Sequence, residues 1–262
     1  MSVSNLDWTR NTVLVLTKLG VEHVCISPGS RNTPLTIAFI EHENIICHSI
    51  IDERSSGFFA LGIAKTSQKP VVILTTSGTA TANLYPAIIE ANLSRVPLLV
   101  LTADRPPHLI GTGANQTIDQ QDLFGHHVRG FVNLGLPNYL ERLILVLKKS
   151  FLLSLGISHY GKKINPAGPV HLNFPFDEPL IIEDKFNKPV DANSLIYKRL
   201  QIGRIKIEKT KDSIPEFLFD SIENKNKIII VCGEGLSLEE KEHLINLAEK
   251  WNVPIFADCL SG

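Results

Sequence analysis

The chain has 262 residues, 44% of them hydrophobic and 20% charged, a globular composition that excludes disordered and collagen-like classes. Lysine plus arginine number 26 against 27 for aspartate plus glutamate, so no bulk electrostatic attraction to nucleic acid or an anionic membrane is expected. No apolar run reaches the length of a membrane span, and residues 1–10 lack the basic end and apolar stretch of a signal peptide, so a cytoplasmic protein without a membrane span is expected.

An amphipathic helix is predicted at Leu6–Leu19, followed by a strand at Val24–Ser27 and a helix that starts near Thr33, with Thr33 as its N-cap and Pro34 in first position. Strand Ile45–Ile50, helix Arg54–Thr66, strand Val71–Thr75, helix Thr81–Asn92 and strand Leu98–Thr102 come next. A weaker strand at Phe131–Leu134, helix Tyr139–Leu155 and strand Val170–Phe174 complete the series. Short β-branched runs alternating with helical periods give an α/β fold, a doubly wound parallel sheet. Beyond Phe174, Pro175, Pro179 and Pro189 with mixed charges mark a linker at 179–226, which includes one predicted helix at Ile214–Ile222. A second α/β domain is expected from Lys227, with helix Leu238–Trp251 and a strand at Val253–Asp258. It stops at Gly262, too soon for a two-stranded sheet to cover its faces, so truncation is expected.

Cys25, Cys47, Cys232 and Cys259 form no C-x-x-C pair and read as reduced core residues. The adjacent His126 and His127 have no zinc-ligand spacing and are expected to face different ways.

In a parallel sheet, ligands bind beyond the carboxyl ends of the strands, which directs attention to four turns. Ser27-Pro28-Gly29-Ser30-Arg31-Asn32-Thr33-Pro34 joins small hydroxyls to one guanidinium before a helix, as suits a carboxylate or phosphate, and equally suits a plain capped turn. Asp52-Glu53-Arg54 puts Glu53 at the end of a buried strand, where it is either a general acid/base or a cap or partner of Arg54. Thr75-Thr76-Ser77-Gly78-Thr79-Ala80 lets backbone approach a ligand closely but lacks the Gly-Lys-Ser/Thr ending of a P-loop. Ala103-Asp104-Arg105-Pro106-Pro107 leads to Gly113-Ala114-Asn115-Gln116; Arg105 either holds an anion or pairs with Asp104 on the surface.

Taken in order, Ser27-Pro-Gly-Ser-Arg-Asn-Thr-Pro, Asp52-Glu-Arg, Thr76-Ser-Gly-Thr-Ala, Leu101-Thr-Ala-Asp-Arg-Pro-Pro and Gly113-Ala-Asn-Gln-Thr-Ile resemble one family. It is the 2-succinyl-5-enolpyruvyl-6-hydroxy-3-cyclohexene-1-carboxylate synthases, thiamine diphosphate enzymes of menaquinone biosynthesis. The likeness is clearest from Val24 to Gln121, extends through Gly168-Pro-Val-His-Leu-Asn-Phe-Pro-Phe-Asp-Glu-Pro, and weakens from Leu180.

The resemblance implies a pyrimidine-binding domain over 1–178 and the start of a central domain at 227–262. It implies Glu53 as the catalytic carboxylate on the cofactor's aminopyrimidine, with Pro28, Thr76, Ser77 and Gly78 beside the cofactor through backbone. Arg31 and Arg105 become clamps for the carboxylates of 2-oxoglutarate and isochorismate, with Ser30, Asn115 and Gln116 orienting the substrate. Magnesium or manganese ligands are expected in a further domain, none in this chain, and the complete enzyme is expected to be a homo-oligomer, a dimer or tetramer. Two other readings stay open. An acetolactate synthase-like decarboxylase would share the glutamate but not the two arginine motifs, and a catalytically silent fragment or interaction module would bind a partner.

Overall fold

Helix α1 (Asn5–Leu19) starts where Ser4 Oγ accepts the Asp7 N–H and stops at Gly20, whose φ of 112° is a left-handed value that favours glycine. It is the first element of a computed structural model that describes residues 3–158, 162–182, 228–233, 236 and 238–258. Two compact units divide the chain, Met1–Glu208 and Lys209–Gly262.

The first unit is built on strands β1 (His23–Ile26), β2 (Ile46–Ser49), β3 (Val71–Thr75), β4 (Leu98–Asp104), β5 (Phe131–Asn133) and β6 (Pro169–Pro175). All pair in parallel, in the order β2-β1-β3-β4-β6-β5. The crossovers are α2 (Thr33–Ile40), α3 (Glu53–Ser67), α4 (Thr79–Asn83), α5 (Tyr85–Leu93) and α6 (Leu140–Ser154). Because β1 leads outward to β2 and β3 returns to its other side, right-handed connections place α2 and α3 on opposite faces. Two cores result. One packs α1, α2 and α6 around Trp8, Phe39 and Leu101; the other packs α3 and α5 around Ile73, Ile88 and Val100. β3, β4 and β6 are buried at every position, which explains their nearly unbroken apolar sequences. Each fully buried leucine or isoleucine there contributes about 1.5–3 kcal/mol.

Several sequence expectations are corrected. Helix α2 begins at Thr33, so Asn32 holds the N-cap position and Pro34 the second helical one. Asn32 does not cap, because its Nδ2 donates back to Ser27 O at 2.9 Å and closes the turn instead. The single helix expected at Thr81–Asn92 is two, since Pro86 has no N–H to give the carbonyl four residues earlier. Cys25 and Cys232 are buried, but Cys47 is exposed, because β2 is an edge strand. Cys259 lies outside the described residues. His126 and His127 do not diverge; a 3₁₀ turn brings their ring centroids to 4.1 Å. The expected linker lies outside the described residues apart from 179–182, and its helix at Ile214–Ile222 lies wholly outside them.

The second unit holds parallel strands β7 (Ile230–Cys232) and β8 (Ile255–Ala257) and helix α7 (Leu238–Trp251). Among the described residues no helix is long and apolar enough to cross a membrane.

One polar strip crosses the first unit's sheet. Thr102 Oγ1 donates to Asn173 Oδ1 at 2.8 Å and lies 2.8 Å from His171 Nε2. With the single hydroxyl proton committed to Asn173, the His171 contact requires the proton on Nε2. His171 is therefore a neutral donor. Its Nδ1 is buried without a partner, Phe124 and Phe131 pack their rings 4.9 Å away, and burial pulls its pKa down to about 3.

A Cβ at Gly57 would lie 2.7 Å from Ala87 Cβ, so α3 and α5 would have to separate, whereas a Cβ at Gly62 meets nothing within 4 Å. Gly57→Ala is expected to destabilise by about 1–3 kcal/mol, and Gly62→Ala to stabilise by up to about 1 kcal/mol through helix propensity, so their thermal midpoints should move in opposite directions. Between pH 6.5 and about 3 the unfolded His171 binds a proton that the folded one refuses, so its contribution to stability is lost as pH falls. In denaturant titrations from pH 7 to 5, His171→Gln, which keeps a donor and does not titrate, should reduce that slope by up to about 1.4 kcal/mol per pH unit.

Candidate active site

Strand order fixes the sequence of turns along the carboxyl edge of the sheet: Glu53 after β2, Pro28 to Arg31 after β1, Thr76 to Gly78 after β3, Arg105 after β4, and Phe176 to Glu178 after β6. The topology reverses between β1 and β3, the position at which open parallel sheets bind ligands. There Gly29 packs directly on Thr76: a Cβ at Gly29 would fall 2.4 Å from Thr76 Cβ. No other residue type fits at this contact. Pro28 and Ser30 are exposed beside it, and the Ser30 carbonyl accepts from both Thr33 N and Thr33 Oγ1.

Glu53 is the first residue of α3, and the capping role is filled by its neighbour: Asp52 Oδ1 accepts the Ser55 N–H at 2.7 Å. That bond, first among the causes, holds the Asp52 carboxyl below its usual pKa. Glu53 is thereby relieved of capping. Its side chain is half-buried, and Oε2 accepts from Asn83 Nδ2 at 3.1 Å, an amide at the end of α4 that fixes the carboxylate's direction.

On the other side of the reversal, three expected residues meet. Ser77 Oγ donates to Gln116 O at 3.0 Å, Gln116 Nε2 returns a bond to Ser77 O at 3.1 Å, and Arg105 Nη1 donates to Ser77 Oγ. The Arg105 guanidinium thus points into the site, while its backbone N–H, not its side chain, hydrogen-bonds Asp104 Oδ1 at 2.7 Å. Gly78 has φ 81°, and a Cβ there would lie 2.9 Å from Gln116 O, so the turn depends on glycine both for its conformation and for its close approach. Asn115 is exposed on the same segment and contributes its carbonyl, which accepts from Thr117 Oγ1 at 3.3 Å.

Arg31 is buried, with Nη1 3.1 Å from Phe176 O and 3.1 Å from Glu178 Oε1. Its Nε is buried without a partner. Burial first, and then the field of Arg31, lower the Arg105 pKa, while Asp104 and Glu178 oppose the shift. Two guanidiniums that repel each other in a partly desolvated crevice favour an anion between them.

Beneath the arginines runs a polar network absent from the sequence expectations. Asn173 Nδ2 donates to Asp104 Oδ2 at 2.8 Å; Gln120 Nε2 donates to Asn173 Oδ1 at 2.9 Å and Ala103 O at 3.2 Å; Gln120 Oε1 accepts the Gly78 N–H at 2.8 Å. Burial raises the Asp104 pKa, and the bonds from Asn173 and Arg105 N–H counter it. The sequence did carry one signal for this network, since Thr102, His171 and Asn173 are polar residues inside apolar strands. Nothing comparable marks Asn83, Gln120 or Glu178, whose partners are distant in sequence.

The donor set suits an organic cofactor with a polar heterocycle. A directed carboxylate, a glycine turn open to close approach, and the buried hydroxyls of Ser27, Thr75 and Thr76, which have no protein partner, line the ends of β1 and β3. Among the described residues no group of three or more His, Cys, Asp or Glu is arranged to hold a metal ion.

Residues 9–123 match the family described as thiamine pyrophosphate enzyme, N-terminal TPP binding domain. The chain is 41% identical over 257 residues to 2-succinyl-5-enolpyruvyl-6-hydroxy-3-cyclohexene-1-carboxylate synthase of Oceanobacillus iheyensis, covering 97% of this chain and 43% of that protein. It is 41% identical over 258 residues to the synthase of Listeria innocua, covering 98% and 43%. It is 40% identical over 260 residues to that of Chloroflexus aurantiacus, covering 97% and 42%. The chain therefore spans about 43% of the length of such relatives. Along nearly all of its own residues the chain is similar to 2-succinyl-5-enolpyruvyl-6-hydroxy-3-cyclohexene-1-carboxylate synthases, and residues 9–123 carry the thiamine pyrophosphate enzyme N-terminal domain match.

Proposed function

We propose that this chain forms the pyrimidine-binding side of a synthase that decarboxylates 2-oxoglutarate and adds the succinyl unit to isochorismate in menaquinone biosynthesis. The observation that carries this reading is Glu53, a half-buried carboxylate at the head of α3, directed by Asn83 and relieved of helix capping by Asp52. Bound thiamine diphosphate would supply the electron sink for decarboxylation. Glu53 would hold a proton at the ring nitrogen of its aminopyrimidine through a charge-assisted hydrogen bond. Pro28, Thr76, Ser77 and Gly78 would present backbone to the cofactor, and the orphan hydroxyls beside them support that role.

Both proposed substrates are carboxylates, and the paired guanidiniums of Arg31 and Arg105 suit them. Ser30, Asn115 and Gln116 would orient the bound molecule, with Gln116 already tied to Ser77. In this reading residues 1–178 are the pyrimidine-binding domain, 179–226 a linker and 227–262 part of a central domain. Mg2+ or Mn2+ would be held by residues outside this stretch. A homo-oligomer, dimer or tetramer, would complete the site, consistent with exposed Ile51, Phe58 and Phe59 beside Glu53. The reaction would take place in the cytoplasm.

Glu53→Gln replaces the anion with a neutral amide of the same shape. Turnover, measured as carbon dioxide released from 2-oxoglutarate in the presence of isochorismate, should fall by about 10²–10⁴-fold. Activity within a few-fold of the parent would overturn the assignment. Arg105→Ala should raise the KM for a carboxylate substrate by roughly tenfold or more. A loss of thiamine diphosphate affinity with unchanged substrate dependence, read by calorimetry, would instead place Arg105 on the cofactor.

A further inference from the structure

We propose that Gln120 is the positioning residue that sets the Ser77–Gly78 turn, and through that turn Arg105 and Gln116, for the reaction; its catalytic meaning rests on the function proposed above. Gln120 is 1% exposed, and both ends of its amide are engaged. The orientation of that amide is forced. Asn173 Oδ1 and Ala103 O can only accept, so they require the Nε2 end, which leaves Oε1 as the acceptor for the Gly78 N–H.

The far end of the chain of bonds is equally fixed. Neutral His171 donates from Nε2 to Thr102, Thr102 donates to Asn173 Oδ1, and Asn173 spends its own N–H on Asp104. Asp104 in turn accepts the backbone N–H of Arg105. The network therefore reaches two adjacent parts of the crevice, the Gly78 amide through Gln120 and the start of the Arg105 segment through Asp104. Its side chains, those of Thr102, Asp104, Gln120, His171 and Asn173, are all buried, so little solvent competes for their bonds and a lost partner leaves a polar group short of one bond.

Two ties join the turn to the segment that carries Gln120, and Gln120 supplies one of them. The Ser77–Gly78 turn meets segment 116–120 through the reciprocal Ser77–Gln116 pair and, one residue along, through the Gly78–Gln120 bond. Gln116 and Gln120 are four residues apart, and the outer pair includes the hydroxyl that receives Arg105. Breaking the inner bond frees the outer one to shift. Glu53 has no direct bond to this network and is reached only through Asn83 of α4, the helix that starts after Gly78, so a displaced turn should affect capture of the carboxylate substrate more than the chemical step.

The test uses the full chain for amide hydrogen exchange and the turning-over enzyme for kinetics. In Gln120→Leu, exchange at Gly78 should accelerate by about tenfold or more, while Ile73 and Val100 in the adjoining strands stay within about twofold. The KM for the carboxylate substrate should rise roughly tenfold with kcat changed less than about threefold. Gln120→Glu supplies a second measure: its acid form keeps a carbonyl for Gly78 and one O–H for Asn173. Relative to the parent at the same pH, it should regain protection at Gly78 as pH is lowered, and Gln120→Leu should not. Unchanged Gly78 exchange, acceleration shared equally by Ile73 and Val100, or a fall confined to kcat would overturn the proposal. Absence of synthase turnover in the enzyme that includes the metal-binding residues would refute the proposed function, while Gly78 exchange would still decide whether Gln120 sets the turn.

Discussion

Asn173 makes three side-chain hydrogen bonds within a strand buried at every position, and the carboxyl edge of the sheet is organised around it. Its carbonyl accepts from Thr102 on β4 and from Gln120 beyond β4, and its amide donates to Asp104 at the end of β4. An amide that both donates and accepts can join a hydroxyl, a second amide and a carboxylate without leaving any of them unpaired. A leucine here would preserve the strand but take the Asn173 donor from Asp104 Oδ2 and the Asn173 acceptor from the Thr102 hydroxyl and one Gln120 N–H. Because a buried polar group without a partner costs about 1–3 kcal/mol, the network tolerates one arrangement only, and the turns that rest on it inherit that definition.

What rests on it is a charged crevice. Arg31 and Arg105 approach one another from β1 and β4, against the preference of two like charges, and Glu178 supplies the nearby negative charge. Arg31 is buried and bonded to the Phe176 carbonyl, and the partly buried Arg105 is held by the Ser77 hydroxyl. Across the reversal between β1 and β3 stands Glu53, whose direction comes from a different helix. The anionic part is joined to the cationic part through α4, which carries Asn83 and begins at the Gly78 turn.

The fold was largely legible in sequence, for a specific reason. Buried parallel strands must be apolar along their whole length, and turns between them must be small or proline-containing, so β3, β4 and β6 and the turns after β1 and β3 marked themselves. The departures occurred where a local rule met a distant partner. Asn32 forgoes capping because Ser27 offers a better-placed carbonyl, and Cys47 is exposed because β2 ended at the edge of the sheet. The split between α4 and α5 was present in the sequence as Pro86, but helical periodicity obscured it.

By itself the sequence determined the parallel α/β architecture and marked the turns at its carboxyl edge, with their resemblance to one enzyme family, because strand burial and turn composition are local properties. Only the tertiary structure decided which polar side chains act together. Asp52 and Glu53 are neighbours with the same chemistry, and the Ser55 amide and Asn83 give one to the helix and the other to the site. Gln120, Asn173 and Asp104 are scattered among strand ends and loops, and their shared role exists only because β4 and β6 lie side by side and segment 116–120 folds back onto Gly78. Hydrogen bonding between buried groups depends on distances that sequence separation does not encode.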